Sequence, residues 1–406
     1  MQVVIEDVVK NNDRIQIKYY SQGLEKYIDD SVIPFYSYGV SIKNVPKSIA
    51  VIPFICNILP ICFVLDFTIS VDELDKEFYD CINDYRKAYQ KMIPMIEFKG
   101  NVKAKKLVDN KLSNNTLTCL MFSGGIDATS SLVMNEKQIS DCVTIWGADV
   151  KYNNEDGWTK MYGSVNSIIK KFNKRSQIIR TNMREYINEN ELTKVVANSN
   201  DGWWHGFQHG ISLLGAVAPL AFIRGYNKII IASSFTKEFQ PICASDPRTD
   251  NCFRFANVTT KHDGFEYDRC KKVENIYKWV NKNDTSLDVH VCWESISGTN
   301  CGHCEKCLRS YLNCRAMGYD GTRLGIIPSI SMGKIKRFYK NKLSITENKD
   351  YALKSISNHL RETYHDKRMP SDIKWLANFD LSAQKNNPYR LLKKIYHKTK
   401  SIFNKE

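Results

Sequence analysis

The run Phe122-Ser123-Gly124-Gly125-Ile126-Asp127-Ala128-Thr129 restricts what this chain can become more than any other stretch. It follows the apolar segment Leu117–Met121 and precedes Ser131-Leu132-Val133-Met134, which can open a helix. A strand, a turn of small residues with a carboxylate, and a helix start together form an anion-binding arrangement. The paired glycines allow φ > 0 and a close backbone approach, so successive N–H groups can converge on one phosphate. The positive end of the following helix adds to them. Asp127 is suited to hold Mg²⁺ against phosphate oxygens, with the hydroxyls of Ser123 and Thr129 nearby. The chain contains no G-x-x-x-x-G-K-[ST], so the common P-loop is not the explanation. The competing interpretation is an ordinary strand-to-helix turn with Asp127 in the first helical turn.

A second signal lies far downstream. Cys292, Cys301, Cys304 and Cys307 form C-x8-C-G-H-C-E-K-C. Two overlapping C-x-x-C steps gather three thiolates, Gly302 permits the tight turn, and Cys292 adds the fourth from the end of an apolar segment. Four thiolates at this spacing suit tetrahedral Zn²⁺ in a closed, structural shell. A redox dithiol would need only one C-x-x-C.

The S-G-G-x-D turn resembles the signature S-G-G-x-D-S-[ST] of the PP-loop ATP pyrophosphatases. With the downstream C-x8-C-G-x-C-x-x-C-x-R, the chain resembles the 7-cyano-7-deazaguanine synthase (QueC-like) branch of that family over roughly residues 49–320. Segments such as Thr181-Asn182-Met183-Arg184, Ser245-Asp246-Pro247 and His262-Asp263-Gly264 add to the likeness. The resemblance implies an ATP-dependent ligase or synthase that adenylates a carboxylate, releasing pyrophosphate, for amide or nitrile formation. ATP, Mg²⁺ and Zn²⁺ are the implied cofactors. The chain departs from the family at Ala128, where serine is usual, and at Lys271, where an acid is usual.

Site roles follow from these parts. Ser123, Gly124, Gly125, Ile126, Asp127 and Thr129 would hold the nucleotide, with Asp149 and Ser234 at the ends of later strands. Trp204, His209, Asp246 and Asp250 are the substrate candidates, the aromatic cluster Trp203-Trp204-His205-Gly206-Phe207 being able to stack on a planar base. Core packing explains Trp203 and Trp204 as well, and everyday turns explain Asp149, Asp246 and Asp250. Asp127, Arg269 and Lys272 are the catalytic candidates, the two cations neutralising a departing pyrophosphate. A solvated helix face is the alternative for that pair. Adenylation needs positioning and charge stabilisation but no side-chain nucleophile, and the sequence shows no convincing Ser/His/Asp or Cys/His constellation.

Strand-like and helical runs alternate from residue 111 to 285. Strands are expected at Leu117–Met121, Val143–Ile145, Gln177–Ile179 and Lys228–Ala232, with helices near 129–136, 158–173, 183–196 and 206–224. The fold class is α/β, a parallel twisted sheet with helices on both faces. Four zones are expected: a mixed α/β N-terminal domain (1–110) with a helical pattern at Val71–Met95, an ATP-binding domain (111–285), a zinc knuckle (286–320) and a basic helical region (321–406). The N-terminal and C-terminal additions favour a larger acceptor, a glycan or a protein, over a free deazapurine.

Composition agrees with an ordinary globular chain, 43% apolar and 25% charged over 406 residues. Its 13 cysteines, four on zinc and the rest mostly buried, suit a reducing cytoplasmic setting, and Met1–Asp7 lacks a signal-peptide pattern. Ile49–Leu65 carries no charge but is interrupted by Pro53 and Pro60, so two short buried segments are expected there rather than a membrane span. Net charge is +14, and residues 331–406 hold 18 Lys/Arg against 7 Asp/Glu. The tail Leu391–Lys400, with Phe403, reads either as an amphipathic helix on the body or as a contact for nucleic acid or an anionic membrane. Two other functions therefore remain open: an RNA-modifying PP-loop enzyme, and a degenerate nucleotide-binding scaffold in a larger assembly.

Overall fold

A computed structural model describes residues 1–112, 116–292, 294 and 298–388. Its strands are β1 (Gln2–Asn11), β2 (Arg14–Gln22), β3 (Phe35–Ser37), β4 (Thr68–Asp75), β5 (Asn101–Val108), β6 (Leu117–Met121), β7 (Asp141–Trp146), β8 (Arg175–Thr181), β9 (Tyr226–Ala232), β10 (Arg254–Phe255) and β11 (Val258–Asp263). The helices are α1 (Lys47–Ala50), α2 (Ile52–Leu65), α3 (Lys76–Met92), α4 (Ile126–Met134), α5 (Glu155–Lys171), α6 (Glu189–Val195), α7 (His209–Arg224), α8 (Pro247–Asp250), α9 (Arg269–Lys282), α10 (Glu305–Ala316), α11 (Met332–Asn341) and α12 (Glu347–Thr363). The described residues form two compact units, one from 1–123 with 127–265 and one from 124–126 with 266–388.

The first unit is built on one eleven-stranded, mostly parallel sheet in the order β10-β11-β9-β6-β7-β8-β3-β2-β1-β4-β5. Strands β11, β9, β6, β7 and β8 run parallel to one another. β6 and β7 are buried along nearly their whole length, as expected for strands covered on both faces. The edges differ. β10 is only two residues long, and β5 exposes Lys103, Lys105 and Lys106, charges that discourage pairing with another chain.

The separate N-terminal domain expected for 1–110 is corrected by strand pairing. Tyr36 and Ser37 of β3 pair antiparallel with Thr181 and Arg180 of β8, so β1–β5 continue the same sheet. The helix expected from Val71 begins only at Lys76, because β4 inserts between β1 and β5. Asp75 ends that strand and caps α3, its side chain accepting from the Phe78 N–H at 2.9 Å. The strands expected at 117–121, 143–145, 177–179 and 228–232 all occur, as does the helix near 158–173. The helix expected over 183–196 forms only as α6.

Ile49–Leu65 folds as α1 followed by one continuous helix, not as two segments broken at both prolines. Pro53 sits in the first turn, where its missing N–H costs nothing, and Pro60 is accommodated inside α2. Asn57 is fully buried mid-helix, yet it donates to the Met183 carbonyl and the Tyr186 hydroxyl, both at 2.7 Å, and accepts from Gln208 at 2.8 Å. α7 packs on α2 through Gly215, where a Cβ would come within 2.3 Å of the Cys56 Cβ. One described helical stretch, Trp204–Arg224, is long and apolar enough to cross a membrane, and 78% of its apolar 18-residue window is buried inside this fold.

The second unit carries its own core, in which Leu308 and Leu312 of α10 meet Ile335, Leu353, Ile356 and Leu360. Asp268 joins α9 to α12. It caps α9 by accepting from the Lys271 N–H at 2.9 Å, and it accepts from the Ser355 hydroxyl and bonds His359 Nε2, both at 2.7 Å. The tail Leu391–Lys400 and Phe403 lie outside the described residues, so neither interpretation of that segment is decided.

Candidate functional site

The turn after β6 stands where the strand order reverses. The chain proceeds from β6 to β7 and β8 on one side, then returns to β9 and β11 on the other. In open α/β sheets, ligands bind outside the carboxyl ends of strands at such a switch point. The sequence builds it directly, because β6 ends at Met121 and α4 begins at Ile126, leaving Phe122–Gly125 as the turn. Gly124 has φ +73°, a conformation that L side chains rarely adopt. Ser123 is exposed, Gly125 and Asp127 are half-buried, and Ile126 and Ala128 face inward. Thr129 is fully buried, and its Oγ1 has no hydrogen-bond partner among the described residues. Backbone N–H groups, an exposed hydroxyl and a carboxylate at a helix start are the residue types that would suit a nucleotide phosphate with Mg²⁺.

The other expected residues divide by environment. Asp149 and Ser234 are exposed beyond the ends of β7 and β9. Trp203 is core, stacked on Phe207 at 5.3 Å, whereas Trp204 is half-buried with the Arg184 guanidinium 4.3 Å above its ring. Asp246 caps α8 and holds Arg248 with both oxygens, at 2.6 and 2.8 Å. Its carboxylate is committed to that turn. Asp250 is fully buried; its Oδ2 accepts from Ser245 at 2.6 Å and bonds His262 Nδ1 at 2.8 Å. Its Oδ1 and the His262 Nε2 have no partner among the described residues. In the second unit Arg269 opens α9 half-buried, and Lys272 is only 2% exposed, which removes the solvated-face alternative for the lysine.

Sequence inspection missed a group around Cys243. This buried thiol precedes Ala244, whose N–H donates to the His205 carbonyl at 2.8 Å, and His205 Nδ1 lies 2.8 Å from Asp201 Oδ2. No motif spacing links 201, 205, 209 and 243; the only advance signal was the histidine-rich aromatic cluster.

The four cysteines do converge. Their sulfurs lie within 4.8 Å of one another, with Cys292–Cys304 at 3.8 Å and Cys301–Cys307 at 3.9 Å. Tetrahedral Zn–S bonds of about 2.3 Å place sulfurs about 3.8 Å apart, so the group is compatible with a bound zinc ion. Amides point at the sulfurs: Cys304 N–H donates to Cys301 Sγ at 3.3 Å, and Cys307 N–H to Cys304 Sγ at 3.4 Å. Gly302 has φ +71°, and a Cβ there would strike the Ser329 N at 2.7 Å. Asn300 fastens the far limb, accepting from Val291 and Cys292 N–H groups at 2.8 and 3.2 Å. Two residues before Cys292, the His290 N–H donates to the Gly124 carbonyl at 2.9 Å, so the knuckle segment and the glycine turn share a backbone bond. His303 is exposed and bonds the Cys301 carbonyl, outside the sulfur group.

Comparison with protein-family models and with curated proteins found no match.

Proposed function

We propose that this protein activates a carboxylate with ATP, forming an acyl-adenylate and pyrophosphate, for transfer to an amine. The observation that carries this is the Ser123–Asp127 turn at the carboxyl end of β6, at the reversal of strand order. Carboxylates do not expel hydroxide to an amine at neutral pH, and adenylation supplies a good leaving group. In this reading, Ser123, Gly124, Gly125 and Ile126 cradle the phosphates, and Asp127 holds Mg²⁺ with Thr129 behind it. Arg269 and Lys272 are assigned to charge neutralisation, and the four cysteines to a structural zinc ion. The acceptor class is a deazapurine acid, a glycan or a protein.

The test is ATP–pyrophosphate exchange and pyrophosphate release by zinc-loaded protein, with and without 7-carboxy-7-deazaguanine and ammonium, beside Asp127→Ala. Exchange that requires the deazapurine and vanishes in the variant supports the reading and identifies the substrate class. Turnover to AMP without the deazapurine keeps the chemistry and redirects the search to other carboxylates. No turnover with retained ATP binding would sink it, and would make the buried methyl of Ala128 the mark of a nucleotide-binding scaffold.

A further inference from the structure

Asp250 closes α8 with its side chain fully buried, a costly place for a carboxylate. Buried carboxylates are ordinarily matched by a cation. Arg248, two residues earlier, is held by both oxygens of Asp246, and His262 is the sole ion-pair partner of Asp250 among the described residues. Oδ2 is occupied twice, accepting from the Ser245 hydroxyl at 2.6 Å and facing His262 Nδ1 at 2.8 Å. A carboxylate only accepts, so the ring proton sits on Nδ1 and Nε2 presents a lone pair. A second proton, on Nε2, would be buried without an acceptor, which disfavours the charged ring. Nε2 and Asp250 Oδ1 both lack a partner among the described residues. The cluster thus holds one negative charge and two unused acceptors, and buried polar atoms of that kind are normally satisfied by something bound.

The surroundings are closed. A Cβ on Gly210, at the start of α7, would lie 2.4 Å from the Ala244 carbonyl oxygen and 2.9 Å from Asp250 Oδ1, so helix backbone rests against the carboxylate. Thr249 Oγ1 donates to the Ala244 carbonyl at 3.0 Å, and Asn251 accepts the His262 N–H at 2.8 Å, which ties the turn to β11. Phe265 stands edge-on to the His262 ring at 5.9 Å. The His262 side chain is 1% exposed, so a molecule bound here is small and wholly enclosed. Strand register places the cluster at the ligand-binding end of the sheet. His262 lies opposite Ile231 of β9, and Leu120 of β6 opposite Ile230. His262 is therefore level with Met121, the last residue of β6, two strand spacings or about 10 Å away.

We propose that Asp250 and His262 form the subsite for ammonia, the amine of the transfer, an inference that rests on the carboxylate-activating reading above. Ammonium neutralises Asp250, and its N–H groups supply the donors that Oδ1 and Nε2 lack. Ammonium has no lone pair, so one N–H bond must break. Its electron pair stays on nitrogen and the proton joins Nε2, leaving ammonia as the nucleophile and an imidazolium paired with Asp250. Water would satisfy the acceptors but leave the charge unmatched. A hard metal ion needs several oxygen ligands, and the described groups with metal-ligand geometry lie elsewhere. A lysine side chain or an amino sugar is too large to be enclosed.

The test is an ammonium chloride titration of zinc-loaded full-length protein carrying ¹⁵N-labelled histidine rings, with sodium chloride and tetramethylammonium chloride at equal ionic strength as controls. The His262 Nε2 resonance, assigned by its loss in His262→Gln, should move saturably with ammonium and with neither control. Asp250→Asn, nearly the same shape without the charge, should weaken that response at least about tenfold. A His262 resonance indifferent to ammonium, one that follows sodium equally, or a response unchanged in Asp250→Asn would each overturn the proposal, and the first and second need no variant to fold. Turnover gives a second readout: in amide formation from 7-carboxy-7-deazaguanine, Asp250→Asn should raise the ammonium KM at least about tenfold more than the ATP KM, a split that general damage to the fold would not produce. ATP–pyrophosphate exchange by the wild type separates the two ideas. A specific ammonium response without exchange removes the adenylate reading and leaves an ammonium site; exchange without the response removes the ammonia subsite alone.

Discussion

Replacing Asp268 by asparagine removes a charge without removing the cap of α9, which makes the expected loss calculable. Burial raises this carboxyl, but the His359 imidazole, the Lys271 N–H and the Ser355 hydroxyl together pull it from 3.8 to about 2. A depression of that size corresponds to about 2 kcal/mol of stability. For an acid with a lowered folded value, the contribution is present above 3.8 and disappears as pH falls through about 2. His359 is raised above 6.5 chiefly by Asp268, so its share is complete below 6.5 and fades as pH rises through the raised value. The full effect therefore lies between about pH 4 and 6.5. Amide exchange across residues 347–363 at pH 5.5 should show α12 opening about 2 kcal/mol more easily in Asp268→Asn. Asp268→Ala, which also loses the cap, should add about 1 kcal/mol. Equal protection in wild type and Asp268→Asn at pH 5.5, or a deficit that persists unchanged at pH 2, would refute the reasoning.

Zinc content and core packing give two further expectations. Protein expressed with zinc should carry about one ion per chain by native mass spectrometry, and Cys292→Ser should lose most of it, because three thiolates no longer close the shell; full occupancy in that variant would exclude Cys292 as a ligand. Gly215→Val should lower the urea unfolding free energy by about 1–3 kcal/mol, since the new Cβ lands 2.3 Å from the Cys56 Cβ, and an unchanged midpoint would mean that α2 and α7 separate at little cost.

The parallel strands were legible because apolar runs such as Leu117–Met121 are bounded by turn residues and buried on both faces. The N-terminal strands were not. Their membership of the sheet depends on three residues, Phe35–Ser37, pairing with a strand about 145 residues away, and no local pattern encodes such a partner. Thr68–Asp75 runs into α3 with a single residue acting as both strand end and cap, so the helical period beyond it masked the strand. At the sites, the cysteine spacing predicted convergence because ligands within one short loop cannot lie far apart. The expected Asp246 was a turn residue held by its neighbour Arg248, an outcome its Asp-Pro context had left open. The bond from Ala244 N–H to the His205 carbonyl was invisible for the opposite reason to the knuckle: a helix and a strand separate the two residues in sequence.

The hydrogen bond from His290 to Gly124 gives the knuckle a role beyond holding its own loop together. An ion that fixes Cys292 also fixes the backbone two residues earlier, and with it the glycine that shapes the turn after β6. A ligand of that turn, were one bound, would then be thermodynamically linked to a metal held by the cysteines. Each tightens the other by the same factor, because a coupling free energy is reciprocal. If the cysteines hold a metal and the turn a ligand, metal supply would set affinity at the turn and saturation of the turn would slow escape of the ion, both through one backbone hydrogen bond.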